Sequence, residues 1–112
     1  MASMPATRIP QAVKTQVADR IAAFNRAVIQ DPHVAYRPRY RGPFLYLDRC
    51  DDGRVGRIAR LTYTGALDGW EFAIYLYSDE RYDPEEWLFP GEEELDGTLE
   101  GAMRAGLAAY PP

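Results

Sequence analysis

Two segments in the middle of the chain, residues 57–64 and 70–77, constrain the fold most. Both alternate between apolar and polar side chains, and both contain aromatic residues. That two-residue period is typical of a β-strand with one buried face. Residues 64–69 join the segments with two glycines and an aspartate, a composition that favours a turn. The sequence therefore predicts two antiparallel strands at the centre of a sheet, followed from residue 78 by an acidic, ordered loop.

Residues 34–50 predict a second pair of strands, joined by a two-residue turn at residues 42–43. Tyr36 and Tyr40 fall on one side of the first strand, and three arginines fall on the other. Pro38 lies inside this strand and has no amide hydrogen to donate. We therefore expect the strand to lie at a sheet edge or to contain a bulge.

The predicted turn also fixes which residues face each other across these two strands. It places Arg39 opposite Tyr46 and Arg37 opposite Asp48, because the loop length of a hairpin sets its register. The apolar positions then share the face of the two tyrosines, which makes that face the core side. They are Leu45, Leu47, Trp70, Phe72, Ile74 and Leu76.

Two helices are predicted to flank the strands. Apolar residues recur every three or four positions across residues 11–30, which indicates an amphipathic helix. A shorter stripe, with Asp96 or Thr98 as cap, predicts a C-terminal helix that contains Gly101 and Gly106. Each glycine costs such a helix about 1 kcal/mol relative to alanine, which indicates close approach to another backbone. The first stripe consists of Val13, Val17, Ile21, Phe24 and Val28, and the second of Leu99, Met103, Leu107 and Tyr110.

The predicted fold is an α+β two-layer domain. Asp83, Pro84 and Glu86 have the spacing of a helix start, which predicts a short helical turn carrying Trp87. The element order is thus an N-terminal helix, a four-stranded antiparallel meander, a short helical turn and a C-terminal helix packed on one sheet face. Residues 11–112 form this single domain, and residues 1–10 are predicted to be a flexible tail without a signal peptide.

Composition places the protein in the cytoplasm and gives it an uneven charge. Its single cysteine, Cys50, excludes an internal disulfide and favours a reducing compartment. No apolar run approaches the ~18 residues of a membrane span. The net charge is -4, yet residues 1–77 carry a surplus of basic residues and residues 78–112 a surplus of acidic ones. This asymmetry predicts either a bipolar molecule or two sets of charges that neutralise each other on folding.

Two strings of residues carry a resemblance to a known family. One runs from Tyr63 through the second central strand to Trp87, and the other covers residues 96–103. Together they resemble a small family of uncharacterised bacterial proteins of about this length, and the likeness covers residues 11–112. The resemblance implies a bacterial, cytoplasmic protein, and it carries over no functional residue.

The first candidate site is the outer face of the sheet, where arginines alternate with tyrosines. Such a surface suits phosphate binding with base stacking, although a sequence pI of about 4.9 opposes strong attraction to nucleic acid. The alternative is a solvated face with cross-strand ion pairs between Arg37 and Asp48 and between Arg60 and Glu71. The residues of this face are Arg37, Arg39, Tyr46, Arg60, Thr62, Tyr75 and Tyr77.

The second candidate site is a protein interface. Trp87, Leu88 and Phe89 lie between acidic residues, and aromatic residues with a polar rim are typical of interface hot spots. The alternative is that Trp87 and Phe89 fold back over the sheet edge and protect it. The strand with Pro38, or the fourth strand if it is also an edge, offers a further surface through which two copies of the chain would pair.

The sequence predicts no catalytic, cofactor or metal residue. It contains no glycine-rich phosphate loop, no paired metal-ligand spacing and no nucleophile elbow. There are three weaker alternatives. They are a lone catalytic base at His33, a cation site in the acidic residues 79–96, and a reactive thiolate at Cys50, near Arg49 and Arg54. The leading prediction is a non-enzymatic module for protein partners, followed by nucleic-acid binding and then by an enzyme of unidentified activity.

Overall fold

The computed structural model describes residues 8–86 and 88–112. An N-terminal helix, an antiparallel sheet and a C-terminal helix follow one another, which confirms the predicted α+β content. The sheet has five strands rather than the predicted four. The elements are α1 (Gln11–Phe24), a π-helical turn (Asn25–Ile29), β1 (Val34–Arg41), β2 (Phe44–Asp51), β3 (Arg54–Thr62), β4 (Glu71–Leu76), β5 (Arg81–Asp83), a 3-10 turn (Glu92–Glu94) and α2 (Leu99–Ala109).

The strands follow each other across the sheet in chain order, each antiparallel to the next. Arg39 lies opposite Tyr46 and Arg37 opposite Asp48, which confirms the predicted register. β1 is an edge strand, as Pro38 requires. The pairing of β2 with β3 shifts by one residue at Asp48. This bulge lets Ile58 and Ala59 both turn inward, where both are buried.

The fifth strand forms within the segment that was predicted to be an acidic loop. Tyr82 pairs with Tyr75 of β4, so Asp83 ends a strand rather than starting a helix. The Asp83 carboxylate accepts a hydrogen bond from the Glu85 amide at 2.9 Å, and Pro84 and Glu85 form a turn. The predicted helical turn is therefore absent from residues 84–86, while Trp87 lies outside the described residues.

α1 buries Val17, Ile21 and Phe24 as predicted, but Val28 is 47% exposed. The cause is the π-helical turn, whose extra residue rotates the end of the helix. The Asn25 side chain in this turn accepts from the backbone amide of Tyr36 and donates to its carbonyl. This pairing satisfies part of the exposed edge of β1, a role that helical periodicity cannot predict.

Both helices pack on the same face of the sheet. Phe24 of α1 lies edge-on to Tyr36 of β1, with ring centroids 6.1 Å apart, and the Tyr36 hydroxyl donates to the Met103 carbonyl of α2 at 2.7 Å. Leu45 and Leu61 are fully buried between the layers. Ile9 is also buried, at 3% exposure. The chain therefore packs against the core before residue 11, within the segment 1–10 that was predicted to be a flexible tail. Residues 1–7 of that segment lie outside the described part. No helix among the described residues is long and apolar enough to cross a membrane.

Gly106 carries a stability prediction. A Cβ atom there would lie 2.6 Å from Ile58 Cγ2 and would collide with the Tyr36 hydroxyl. We expect Gly106→Ala to lower the free energy of unfolding by about 1–2 kcal/mol, because overpacking outweighs the gain in helix propensity. Urea unfolding measures this change. The reverse substitution Ala22→Gly, at an exposed position of α1, measures the effect of helix propensity without a change in packing. A Gly106→Ala protein that is more stable than the unmodified chain would contradict the close packing at Gly106.

Candidate functional site

The face of the sheet opposite the helices carries a surplus of positive charge. Arg39, Tyr46 and Arg60 lie side by side on β1, β2 and β3, and directly opposed residues of antiparallel strands share a face. We call this surface the basic sheet face. Strand pairing and alternation place two carboxylates on this face, those of Asp48 and Glu71, and five guanidinium groups. The five arginines are Arg37, Arg39, Arg41, Arg57 and Arg60. The surface is thus positive in a chain whose net charge is -4.

A string of aromatic rings crosses this face. The ring centroids of Tyr46 and Tyr82 lie 5.2 Å apart and those of Tyr82 and Tyr75 lie 4.8 Å apart. Phe44 extends the string at one end, 6.1 Å from Tyr46. The small Ala73 lies on β4, two residues before Tyr75 and opposite Arg60, and is 3% exposed. The rings therefore form a minor apolar cluster of their own, separate from the core under the helices.

Arginine side chains cover these rings. The Arg39 guanidinium carbon lies 4.4 Å from the Tyr46 ring centroid, and that of Arg60 lies 4.6 Å from the Phe44 centroid. Cation–π contacts of this kind hold a guanidinium group in place while part of it stays hydrated. The groups presented to a ligand are consequently guanidinium edges rather than open ring faces.

The ion pairs on this face differ from those predicted. Asp48 binds Arg39, at 2.9 and 3.2 Å, and not Arg37, which lies directly opposite. This contact, a hydrogen bond above all, raises the pKa of Arg39. Arg60 lies over Phe44 and makes no ion pair with Glu71. Among the described residues, Arg37, Arg41 and Arg57 are exposed and make no ion pair.

Two polar atoms near the centre of the face lack a hydrogen-bond partner within the described parts of the chain. They are Arg60 Nε and the Tyr82 hydroxyl oxygen, and both are buried. Burial raises the pKa of Tyr82, and the neighbouring Arg39 guanidinium group opposes that rise. Both atoms are hydrogen-bond donors, but both are closed to solvent and so belong to the interior of the aromatic cluster.

Four of the predicted face residues lie together on this surface: Arg37, Arg39, Tyr46 and Arg60. Tyr75 belongs to the face but is only 5% exposed, because Tyr77, Tyr82 and Arg57 surround it. Tyr77 lies beyond the end of β4 and is 53% exposed. Its hydroxyl donates to the Arg57 carbonyl at 2.8 Å, so it supports the face rather than presenting a binding group. Thr62, which pairs with Glu71, lies at the margin.

Sequence reasoning missed Arg57 and Tyr82. Strict alternation from Arg60 assigns Arg57 to the core side, but the bulge at Ile58 returns it to the outer face opposite Asp48. Tyr82 was missed because β5 was not predicted. The polar–aromatic–polar order of residues 81–83 is the one signal for that strand, and three residues are too few to show a period.

The other candidate residues lie apart from this face. Leu88 is 94% exposed, and Phe89 stacks on Phe72 at 5.8 Å, while Trp87 is outside the described residues. His33 is exposed in the turn before β1. The Arg49 guanidinium group does not lie beside the Cys50 thiol. Its side chain points into the helical layer, where it donates hydrogen bonds to Asp51 and to the Tyr110 carbonyl. Residues 8–86 and 88–112 contain no group of three potential metal ligands.

Comparison with protein families, curated proteins and solved structures finds no match for the chain.

Proposed function

We propose that the protein is a non-enzymatic binding module whose basic sheet face binds an acidic segment of a protein partner. The observation that carries the proposal is a group of exposed arginines on the sheet face opposite the helices, which make no ion pair within residues 8–86 and 88–112 of this acidic chain. Arginine binds carboxylates through two parallel hydrogen bonds. The exposed guanidinium groups of Arg37, Arg41 and Arg57 are able to make such bonds.

Two features favour an acidic protein segment over nucleic acid. Base stacking needs open aromatic faces, but Arg39 and Arg60 lie over the rings and Tyr75 is buried. In addition, exposed carboxylates surround β5, at Glu80 and Glu85. A long polyanion that crossed the whole sheet would meet this negative margin, whereas a short acidic segment fits over β1, β2 and β3.

The proposal is tested by fluorescence anisotropy with two labelled anions, an oligoglutamate peptide and an oligothymidylate. We expect saturable binding of the peptide that weakens as salt is added, because screening reduces attraction between exposed charges. We expect the oligothymidylate to bind more weakly at every salt concentration. Tighter binding of the oligonucleotide would replace the proposal with nucleic-acid recognition, and the absence of binding to either probe would refute an anion-binding role.

A further inference from the structure

Three arginines of the basic sheet face form a row along β1. Arg37, Arg39 and Arg41 occupy alternate positions of this strand, so their side chains leave the same face of the sheet. All three are exposed. Asp48 binds the Arg39 guanidinium group at 2.9 Å, whereas Arg37 and Arg41 make no ion pair in the parts of the chain that the structure describes. The row therefore presents two guanidinium groups that are open to a carboxylate, with a paired one between them.

The spacing of the two outer arginines selects the conformation of a bound segment. The Cα atoms of Arg37 and Arg41 are roughly 13–14 Å apart, because an antiparallel strand rises about 3.4 Å per residue. Two carboxylates four residues apart in an extended segment have the same separation. An α-helix rises only about 1.5 Å per residue and needs about nine residues to cover this distance. A short acidic segment therefore matches both arginines only when it is extended.

Asp48 favours one direction for such a segment. It lies on β2 directly opposite Arg37 of β1 and Arg57 of β3. A segment that crossed the strands from Arg37 to Arg57 would pass over this carboxylate, and like charges repel. A segment that runs along β1 passes over the Arg39 guanidinium group instead. Arg57 then adds positive charge beside the segment without contacting both of its ends.

The outer edge of β1 is closed to backbone pairing. The Asn25 side chain bonds to both the amide and the carbonyl of Tyr36, so the backbone groups of Tyr36 face away from β2. Backbone groups of a strand alternate between its two sides, so Val34, Pro38 and Tyr40 face the same edge. The Val34 amide already donates to a carbonyl in the turn before β1 at 3.1 Å, and proline has no amide hydrogen. At most the Tyr40 amide is left for an added strand, so a bound segment lies on the side chains of β1 rather than extending the sheet.

We propose that the basic sheet face binds an extended acidic segment with carboxylates on alternate residues, the first and third of which contact Arg37 and Arg41. Each of these arginines is able to donate two parallel hydrogen bonds to a carboxylate. The middle carboxylate lies over Arg39, whose side chain stays 47% exposed beside Asp48. This inference rests on the proposed function and adds to it the conformation and the charge spacing of the partner segment.

The test is a ¹⁵N–¹H NMR titration with two serine-rich peptides of equal length, each with three glutamates and with both termini capped. The glutamates stand at positions i, i+2 and i+4 in the first peptide and at i, i+3 and i+6 in the second. When extended, the second peptide has no two carboxylates that match both Arg37 and Arg41. We expect the first peptide to bind about three- to fivefold more tightly, as one additional exposed ion pair implies, and to shift the Nε–H signals of both arginines.

Two variants separate spacing from charge, because Arg41→Gln and Arg57→Gln each remove one exposed positive charge. We expect Arg41→Gln to reduce the preference for the first peptide to less than about twofold, since only one matched arginine remains. We expect Arg57→Gln to weaken the binding of both peptides and to leave the preference unchanged. A preference that persists in Arg41→Gln would show that charge density rather than spacing is recognised, and would overturn the inference.

The outcomes also distinguish this inference from the proposed function. Equal affinity of the unmodified chain for the two peptides, or tighter binding of the second, would overturn the spacing inference alone. Binding of oligoglutamate without binding of the first serine-rich peptide would do the same. If none of the three peptides binds, the proposed function fails together with the inference.

Discussion

Replacing Arg49 with methionine is expected to lower the free energy of unfolding by about 2–3 kcal/mol, because a buried ion pair loses one partner. Arg49 is 1% exposed. Its guanidinium group binds both carboxylate oxygens of Asp51, at 2.8 and 3.0 Å, and donates to the Tyr110 carbonyl beyond the end of α2. Methionine fills much of the same volume but leaves the carboxylate and the carbonyl without this donor. The Asp51 side chain is 34% exposed, so water limits the loss.

Urea unfolding of Arg49→Met measures this effect, with Arg54→Met as the matched control. Arg54 lies on the adjacent strand, is exposed and makes no ion pair among the described residues. We expect the control to change stability by less than about 0.5 kcal/mol, as is usual for surface substitutions. Equal stability of the two variants would mean that Arg49 does not join α2 to the sheet.

Reversing two charges on the basic sheet face, in the double variant Arg37→Glu with Arg57→Glu, is expected to weaken oligoglutamate binding about a hundredfold. The two reversals change the local charge by four, so interactions of roughly 1 kcal/mol per charge pair in water set an upper limit of about 4 kcal/mol. Screening by salt reduces this to the roughly 2.7 kcal/mol to which a hundredfold change in affinity corresponds. Both residues are exposed, so we expect the variant to remain folded. Anisotropy titration measures the affinity, and circular dichroism verifies the fold.

The control for this variant removes the same net charge elsewhere. Arg8 and Arg26 are exposed and belong to the layer that contains the helices. We expect the double variant Arg8→Glu with Arg26→Glu to weaken binding less than about fivefold, since most of its effect is screened over distance. An equal loss of affinity in the two double variants would show that the peptide responds to net charge rather than to the basic sheet face.

Local signals were sufficient to predict the regular parts of the sheet. The two-residue turn and the alternation of apolar residues predict Arg39 opposite Tyr46, and the structure confirms this pairing. The helix stripe likewise predicted Val17, Ile21 and Phe24 as buried. In these elements, local propensity and tertiary packing favour the same conformation.

Irregular features were not predictable, because distant residues determine them. Val28 leaves the stripe where Asn25 bonds to the backbone of Tyr36, and Arg57 changes face at the bulge beside Asp48. β5 exists because it pairs with β4, which outweighs the helix-start pattern after Asp83. The last two departures change the candidate site, because they bring Arg57 and Tyr82 to the basic sheet face.

Binding of an acidic segment to the helix-free face of the sheet can be observed residue by residue in an NMR titration of the ¹⁵N-labelled protein with oligoglutamate, because both backbone amides and arginine Nε–H groups report on contact. We expect salt-sensitive shifts at Arg37, Arg39, Arg57 and Arg60, with α2 unperturbed. Shifts confined to the helical layer or to residues 88–96, or no shifts at all, would contradict it.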